Sequence, residues 1–236
     1  MRRRRPALAF ALFLTPMVLM GCGGASTASS PTASRTASPP PPSASPAPGP
    51  RRIDVTATGL GSYLETTVPV AILRSASVGE VAIQVSVHLR VATPAGKETA
   101  SADAGVSAIP PGASVVVTAR VRGALRGNVV TAAVTVGGWV ATSAAPPASL
   151  AVSAGPPSCP GCARGGSGTL LVTVSGTTQG TLLQVGAACR DAAGHIVGGG
   201  SALHPGGPSP VAVTVPIILS APAAHCADVS VTPGSF

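Results

Sequence analysis

Four cysteines, all within residues 159–226, are the side chains of this sequence best suited to do chemistry. In Cys159-Pro160-Gly161-Cys162, proline and glycine occupy the two central positions of a type II turn, which brings the flanking Cα atoms within disulfide range. Cys189 and Cys226 lie at two predicted strands that can be sheet neighbours. We therefore predict the disulfides Cys159–Cys162 and Cys189–Cys226, and the other two connectivities of four cysteines stay open.

The same region could instead bind a metal ion. Six side chains would supply the ligands: Cys159, Cys162, Cys189, Cys226, His195 and His225. This set lacks the second closely spaced cysteine pair that is typical of zinc sites. Thiol redox chemistry is disfavoured, because the glycine-rich residues 163–168 cannot form the helix whose dipole lowers the pKa of such a thiol. We expect no cofactor and keep the metal site as the alternative.

Three arginines at outward strand positions, Arg90, Arg120 and Arg122, could form a basic patch that faces lipid headgroups or anionic wall polymers. The alternative role of these charges is solubility and protection of strand edges. The chain has 15 basic and 7 acidic residues, but four arginines stand at residues 2–5, and without them the count is 11 to 7. This balance and an aromatic content of 2% argue against a nucleic-acid partner.

Catalytic motifs are missing from the sequence. The seven acidic residues are isolated along the chain, and no paired carboxylates, G-x-S-x-G or H-E-x-x-H are present. We therefore expect that the protein is not an enzyme.

The N-terminus has the pattern of an export signal. Four arginines precede an apolar run over residues 7–20, which is too short to cross a bilayer core as a helix. Leu19-Met20-Gly21-Cys22 resembles the lipobox of bacterial lipoproteins. The resemblance implies that residues 1–21 are a cleaved signal peptide and that Cys22 carries a diacylglyceryl anchor. It further implies that the exported protein is held at the outer face of the cytoplasmic membrane.

Residues 22–50 follow as a tether. After Cys22 and two glycines they consist almost wholly of Pro, Ser, Ala and Thr, a composition that cannot form a hydrophobic core. The rest of the chain favours strands and turns, because Val, Thr and Gly are frequent and lysine occurs once. The composition therefore excludes helical bundles and coiled coils.

Residues 51–142 are predicted to form a small antiparallel β-sandwich. The clearest strand is VAIQVSVHLRV at residues 81–91, where alternation predicts one inward face. Its inward residues would be Val81, Ile83, Val85, Val87, Leu89 and Val91. Residues 114–122 and 130–136 alternate in the same way, and residues 53–58, 66–73 and 98–102 are weaker strands. Pro- and Gly-containing turns separate them.

Residues 148–236 are predicted to repeat this domain. Residues 182–185 (LLQV) correspond to 82–85 (AIQV), the turn at 191–195 corresponds to that at 91–97, and residues 210–217 correspond to 115–121. The linker between the two domains would lie at residues 143–148, which include two prolines. We therefore expect an all-β protein with two tandem Ig-like sandwiches.

The stretch Ala187-Ala188-Cys189-Arg190-Asp191-Ala192-Ala193-Gly194 resembles a degenerate FxLYD-type repeat, in which a strand ending in F-x-L-Y-D leads through a glycine turn into the next strand. Asp191 and Gly194 agree with that pattern, and in the first domain Leu89 agrees. The resemblance implies an Ig-like sandwich of the kind common in bacterial surface lipoproteins. The family has no catalytic residues to transfer.

Together these observations predict a monomeric surface lipoprotein that acts as a non-catalytic structural or protein-binding module of the cell envelope. Its expected partners are the membrane, other envelope proteins and anionic wall polymers. The alternative is an extracytoplasmic lipoprotein that binds a metal ion or small ligand through the cysteines and histidines of the second domain.

Overall fold

The computed structural model describes residues 50–142, 150–159, 165–176 and 180–234. The predicted signal peptide, Cys22, the tether and the inter-domain linker lie outside these residues. The all-β prediction is confirmed: the described chain forms thirteen strands and no helix. The strands are β1 (Ile53–Tyr63), β2 (Thr66–Ser75), β3 (Glu80–Ala92), β4 (Glu98–Ile109), β5 (Ser114–Thr118), β6 (Val121–Arg122), β7 (Val129–Ala141), β8 (Ala151–Ala154), β9 (Gly166–Ser175), β10 (Leu182–Arg190), β11 (Ile196–Pro205), β12 (Val211–Leu219) and β13 (His225–Pro233). Within the described residues, nothing helical is long and apolar enough to cross a membrane.

The first half of the body consists of two sheets packed face to face. Sheet A has the order β1-β2-β5, with β6 also paired to β2, and sheet B has the order β4-β3-β7. All of the pairings are antiparallel. Their inner faces share one apolar cluster, in which Leu73, Leu89 and Ile109 are fully buried. This is the sandwich that the alternating strands predict.

The second half has the same strand pairing in one curled sheet, sheet C, with the order β13-β10-β11-β12-β9-β8. The run β8-β9-β12 corresponds to β1-β2-β5, and β11-β10-β13 corresponds to β4-β3-β7. The two runs are joined where Gly198 and Gly199 of β11 pair with Leu219 and Ile218 of β12. A second apolar cluster, which includes Leu170, Val185 and Ile217, fills the inside of the curl.

The hairpin turn after the central strand is also alike in the two halves. In the first half, the N–H of Thr93 donates to the carbonyl of Lys97 and the N–H of Gly96 donates to Thr93. In the second half, the N–H of Asp191 donates to the carbonyl of His195, and the N–H of Gly194 donates to the carbonyl of Asp191. Both glycines have a φ near +85°, a conformation that side chains with a Cβ rarely adopt. The correspondence drawn from the sequence therefore extends to turn geometry.

One expectation for β3 is wrong. Val85, Val87, Leu89 and Val91 do face the core, but the inward residue before them is Ala82, so Val81 and Ile83 point to the other face. The face changes at Gln84, whose φ of 52° breaks the alternation. The pairing register to β4 and β7 continues across this point, so all three strands of sheet B change face together.

Sheet A is covered on both of its faces. Its outer face packs on sheet C through a third apolar cluster, in which Val70 and Val116 lie against Ala188 and Ile196. Backbone contact is close here: a Cβ on Gly61 would overlap the carbonyl oxygen of Ile218. The described residues accordingly all belong to a single compact unit. The two halves have separate cores and also share this interface.

Candidate functional site: the disulfide corner

The predicted Cys189–Cys226 disulfide is present, with an S–S distance of 2.02 Å. It joins β10 and β13, which are neighbours in sheet C, and it lies where their register shifts between Ala188 and Arg190. Both cysteines belong to the core inside sheet C, and Cys189 is fully buried. The bond therefore crosslinks two adjacent strands from within the apolar core.

Of the second predicted disulfide, the structure describes one cysteine. Cys159 takes part in a disulfide and packs against the core inside sheet C. Its predicted partner, Cys162, lies outside the described residues. The pairing of these two cysteines stays a prediction.

Arg190 ties the end of β10 to its surroundings. Its Nε atom lies 2.6 Å from Oδ2 of Asp228 on β13, and Nη1 donates to the carbonyl oxygen of Gly194 at 2.7 Å. The side chains of Arg190 and Asp228 are 26% and 35% exposed, so this pair is screened less than a fully exposed one. One side chain thus fixes the hairpin turn to the neighbouring strand beside the disulfide.

Asp191 organises the turn itself. Its Oδ1 atom accepts hydrogen bonds from the N–H groups of Ala193 at 3.0 Å and His195 at 2.9 Å. The bond from the His195 N–H is the largest cause that lowers the pKa of the Asp191 carboxyl below its usual value. The ring of His195 also approaches this carboxylate, with Nδ1 3.4 Å from Oδ2. We call the disulfide and its shell the disulfide corner, made of Cys189, Arg190, Asp191, His195, Cys226 and Asp228.

The corner does not assemble the six side chains of the alternative metal site. Cys189 and Cys226 are bonded to each other, so neither offers a thiolate. The side chain of His195 is 80% exposed at the turn, whereas His225 borders a surface depression of about 290 Å³ that is lined mainly by alanine, glycine and proline residues. In the part of the chain that the structure describes, no three His, Cys, Asp or Glu side chains are grouped to hold a metal ion.

The predicted basic patch divides between two places. Arg90 lies on sheet B and forms an ion pair with Glu98, with Nε and Oε2 2.5 Å apart. Arg122 lies on β6, and Arg120 directly precedes this strand. β6 pairs with the first residues of β2, next to the turn of the β1–β2 hairpin. Arg126 stands on the same segment as Arg120 and Arg122, a few residues further along the chain. No acidic partner within ion-pair distance is recorded for these last three arginines among the described residues.

The β1–β2 hairpin positions this arginine segment. The N–H of Gly123 donates to the carbonyl of Glu65 at 2.8 Å, and the hydroxyl of Thr67 donates to the carbonyl of Gly123 at 2.6 Å. The N–H of Leu125 in turn donates to the Thr67 hydroxyl at 3.1 Å. Residues 120–126 are therefore held on the hairpin. We call this stretch, which carries Arg120, Arg122 and Arg126, the arginine segment.

Comparisons with protein-family models, with curated proteins and with solved structures found no match to the chain.

Proposed function

We propose that the protein is an exported lipoprotein of the bacterial envelope, anchored by a diacylglyceryl group on Cys22 at the outer face of the cytoplasmic membrane. It acts as a structural or protein-binding module and not as a catalyst. The observation that carries the proposal is the Cys189–Cys226 disulfide inside the core. Disulfides persist in oxidising compartments, so this bond agrees with the export that residues 1–21 predict.

The tether and the body have complementary roles in this proposal. Residues 25–50 would reach roughly 30 Å as a coil and up to about 80 Å as polyproline II, which carries the body away from the membrane surface. The body has two halves with the same strand pairing, in the manner of tandem FxLYD-type modules. A body crosslinked from within suits a domain that presents fixed surfaces to partners outside the cell.

Cys22→Ser tests the anchor in a bacterial host that processes lipoproteins. The wild-type chain should partition into detergent, and its intact mass should show the acyl addition at a new N-terminal Cys22. The variant should lose the acyl mass and leave the membrane fraction, or stay unprocessed. Met20→Ala is the matched control, because it keeps the cysteine and places a small residue in the resembling motif. A wild-type intact mass without acyl groups would refute the proposal.

A second partner class rests on the arginine segment. Three unpaired cations on one anchored segment favour a polyanion, and in the envelope this would be an anionic wall polymer. Replacing the three arginines by glutamine should reduce sedimentation of the protein with isolated cell walls, with a strong dependence on salt. Arg90→Gln is the control, since Arg90 is already paired with Glu98. Equal sedimentation of both variants would contradict this role.

A further inference from the structure

The strand β7 is an unusual sheet edge. It runs for 13 residues, Val129–Ala141, without a charged residue or a proline, and it pairs with β3 along nearly its whole length. On its other side, no described strand pairs with it. Long uncharged edges of this kind are ready templates for another strand, and most proteins protect them.

The free side of β7 presents its backbone groups in a regular row. The hydroxyl of Thr58 donates to the carbonyl oxygen of Val130 at 2.8 Å, which shows that this carbonyl faces away from β3. Because strand residues alternate in the direction of their backbone groups, Ala132, Val134 and Val136 also direct N–H and C=O outward. No hydrogen bond from a described residue reaches these three along the open edge.

The edges formed by β4, β5 and β1 each receive a hydrogen bond from a side chain of the second half. Gln184 donates to the carbonyl of Gly105 on β4 at 3.2 Å, and the Ser230 hydroxyl accepts from the N–H of Val116 on β5 at 2.8 Å. The Ser220 hydroxyl donates to the carbonyl of Leu60 on β1 at 3.0 Å. The edge β8 has only four residues, and β13 carries a charged residue, Asp228. β7 receives one such bond, from Thr58 of β1 in the same half, but it differs from the other edges in running for 13 residues without a charge.

The core next to β7 is also incomplete. On the central strand β3, Val85, Val87 and Leu89 are at most 1% exposed. Their neighbours across the ladder on β7, among them Val134 and Val136, pack on the same cluster but are only partly buried. A further strand beside β7 would cover these side chains and satisfy the open backbone row at once.

We propose that β7 pairs antiparallel with β7 of a second copy of this chain, which joins two copies of sheet B into one six-stranded sheet. This goes beyond the proposed function and replaces the monomer expected from the sequence. An antiparallel pairing about a twofold axis at Ala133 matches open residues with open residues. In that register Ala132 meets Val134 of the second copy, and Thr131 meets Thr135.

The second copy fits this edge because β7 is compatible with itself. Val and Thr are favoured in strands, and Thr–Thr neighbours can hydrogen-bond across a ladder. Most edge strands carry charges that would repel an identical strand, whereas β7 brings no like charges together in any register. The tether segment is a poorer occupant, because its prolines lack the N–H groups that a new ladder needs.

Ala133→Lys tests the pairing in the full anchored chain, extracted in detergent and measured by light scattering after size exclusion. Ala133 is exposed, so the substitution leaves the core intact, but it places two lysines opposite each other at the twofold axis. We expect a wild-type dimer and a dissociation constant raised at least about fivefold in the variant. Ser86→Lys is the control: Ser86 is exposed on the same face, but on the central strand β3. It should leave the dimer unchanged.

If Ala133→Lys folds poorly, Ala133→Cys gives a second test of the β7–β7 pairing. Mild oxidation of the Ala133→Cys chain in intact membranes should give an intermolecular disulfide dimer, and Ser86→Cys should not. A monomeric wild-type chain, or a dimer that Ala133→Lys leaves intact, would overturn the proposal. Neither result depends on Cys22, so a failure here leaves the lipid anchor to its own test.

Discussion

The two halves of the body share one pairing scheme but stabilise it by different means. On β3 the last buried position before the register shift at the hairpin is Val91, and on β10 the corresponding position is Cys189, both with no exposed surface. Two residues earlier, Leu89 in the first half corresponds to Ala187 in the second. The second half thus has a smaller apolar side chain on its central strand and a covalent bond where the first half has a valine. The difference teaches that a disulfide can replace side-chain volume on an equivalent strand.

The largest effect should come from removing that covalent bond. With both Cys189 and Cys226 changed to Ala, the unfolded chain gains the freedom of a loop closed over 37 residues. The chain-entropy estimate for such a loop is about 3–4 kcal/mol at 25 °C. Urea unfolding of the full chain should show a loss of this size. The double variant avoids the free thiol that a single change would leave in the core.

Leu89→Ala is the comparison in the first half, because Leu89 is the large buried side chain that Ala187 replaces in the second. A fully buried leucine replaced by alanine costs about 2–5 kcal/mol, depending on how well the cavity collapses. If the disulfide compensates for the smaller side chain on β10, both variants should destabilise by similar amounts. A disulfide variant as stable as wild type, with Leu89→Ala strongly destabilised, would show that the two devices are not interchangeable.

The contact between the halves should give the next largest effect. In Gly61→Ala, the new Cβ would overlap the backbone carbonyl of Ile218, so sheet A and sheet C must move apart. Overpacking of this kind costs roughly 1–3 kcal/mol. Thermal unfolding should then become broader or separate into two transitions, because the halves lose their shared cluster. Gly79→Ala is the control, since a Cβ there meets nothing within 4 Å. Unchanged unfolding of Gly61→Ala would show that the halves are independent.

The alternating strands could be predicted from the sequence, and so could the disulfide between β10 and β13. Alternation reports which side chains share a face. The pairing of Cys189 with Cys226 is predicted because one ends a strand that matches β3 and the other precedes the last strand. The packing of sheet C on the outer face of sheet A had a sequence signal that alternation does not capture. Residues 68–73 of β2 read VPVAIL, and such a continuous apolar run is typical of a strand buried on both faces. The outer face of sheet A is buried in just this way.

Other features left no signal of that kind. The change of face at Gln84 depends on a positive φ at a residue that alternation places as an ordinary outward side chain. The ion pair of Arg190 with Asp228 joins residues 38 positions apart in the sequence. The register shift that aligns them arises from the pairing of β10 with β13 and not from either strand alone. Charge spacing along the chain likewise suggested Arg90 for the basic patch, although Glu98 pairs with it in space.

The smallest effect should appear at the two equivalent hairpin turns, where one acceptor titrates and the other does not. In the second half, Asp191 accepts from the N–H of His195, and in the first half the hydroxyl of Thr93 accepts from the N–H of Lys97 at 3.2 Å. Folding lowers the pKa of Asp191, so its stabilisation is complete above the unfolded value near 3.8 and is lost as the pH falls through the lower folded pKa.

Asp191→Asn removes this titration and keeps a side-chain acceptor. The melting temperature of wild type should exceed that of the variant by a constant amount from neutral pH down to about pH 5, and the gap should close at more acidic pH. Thr93→Val removes the hydroxyl acceptor of the first-half turn, and its gap to wild type should not vary over the same range. A gap for Asp191→Asn that widens on acidification would reverse the sign of the linkage and contradict the lowered pKa. A pH-dependent gap for Thr93→Val would show that the two turns do not differ in the way that their acceptors indicate.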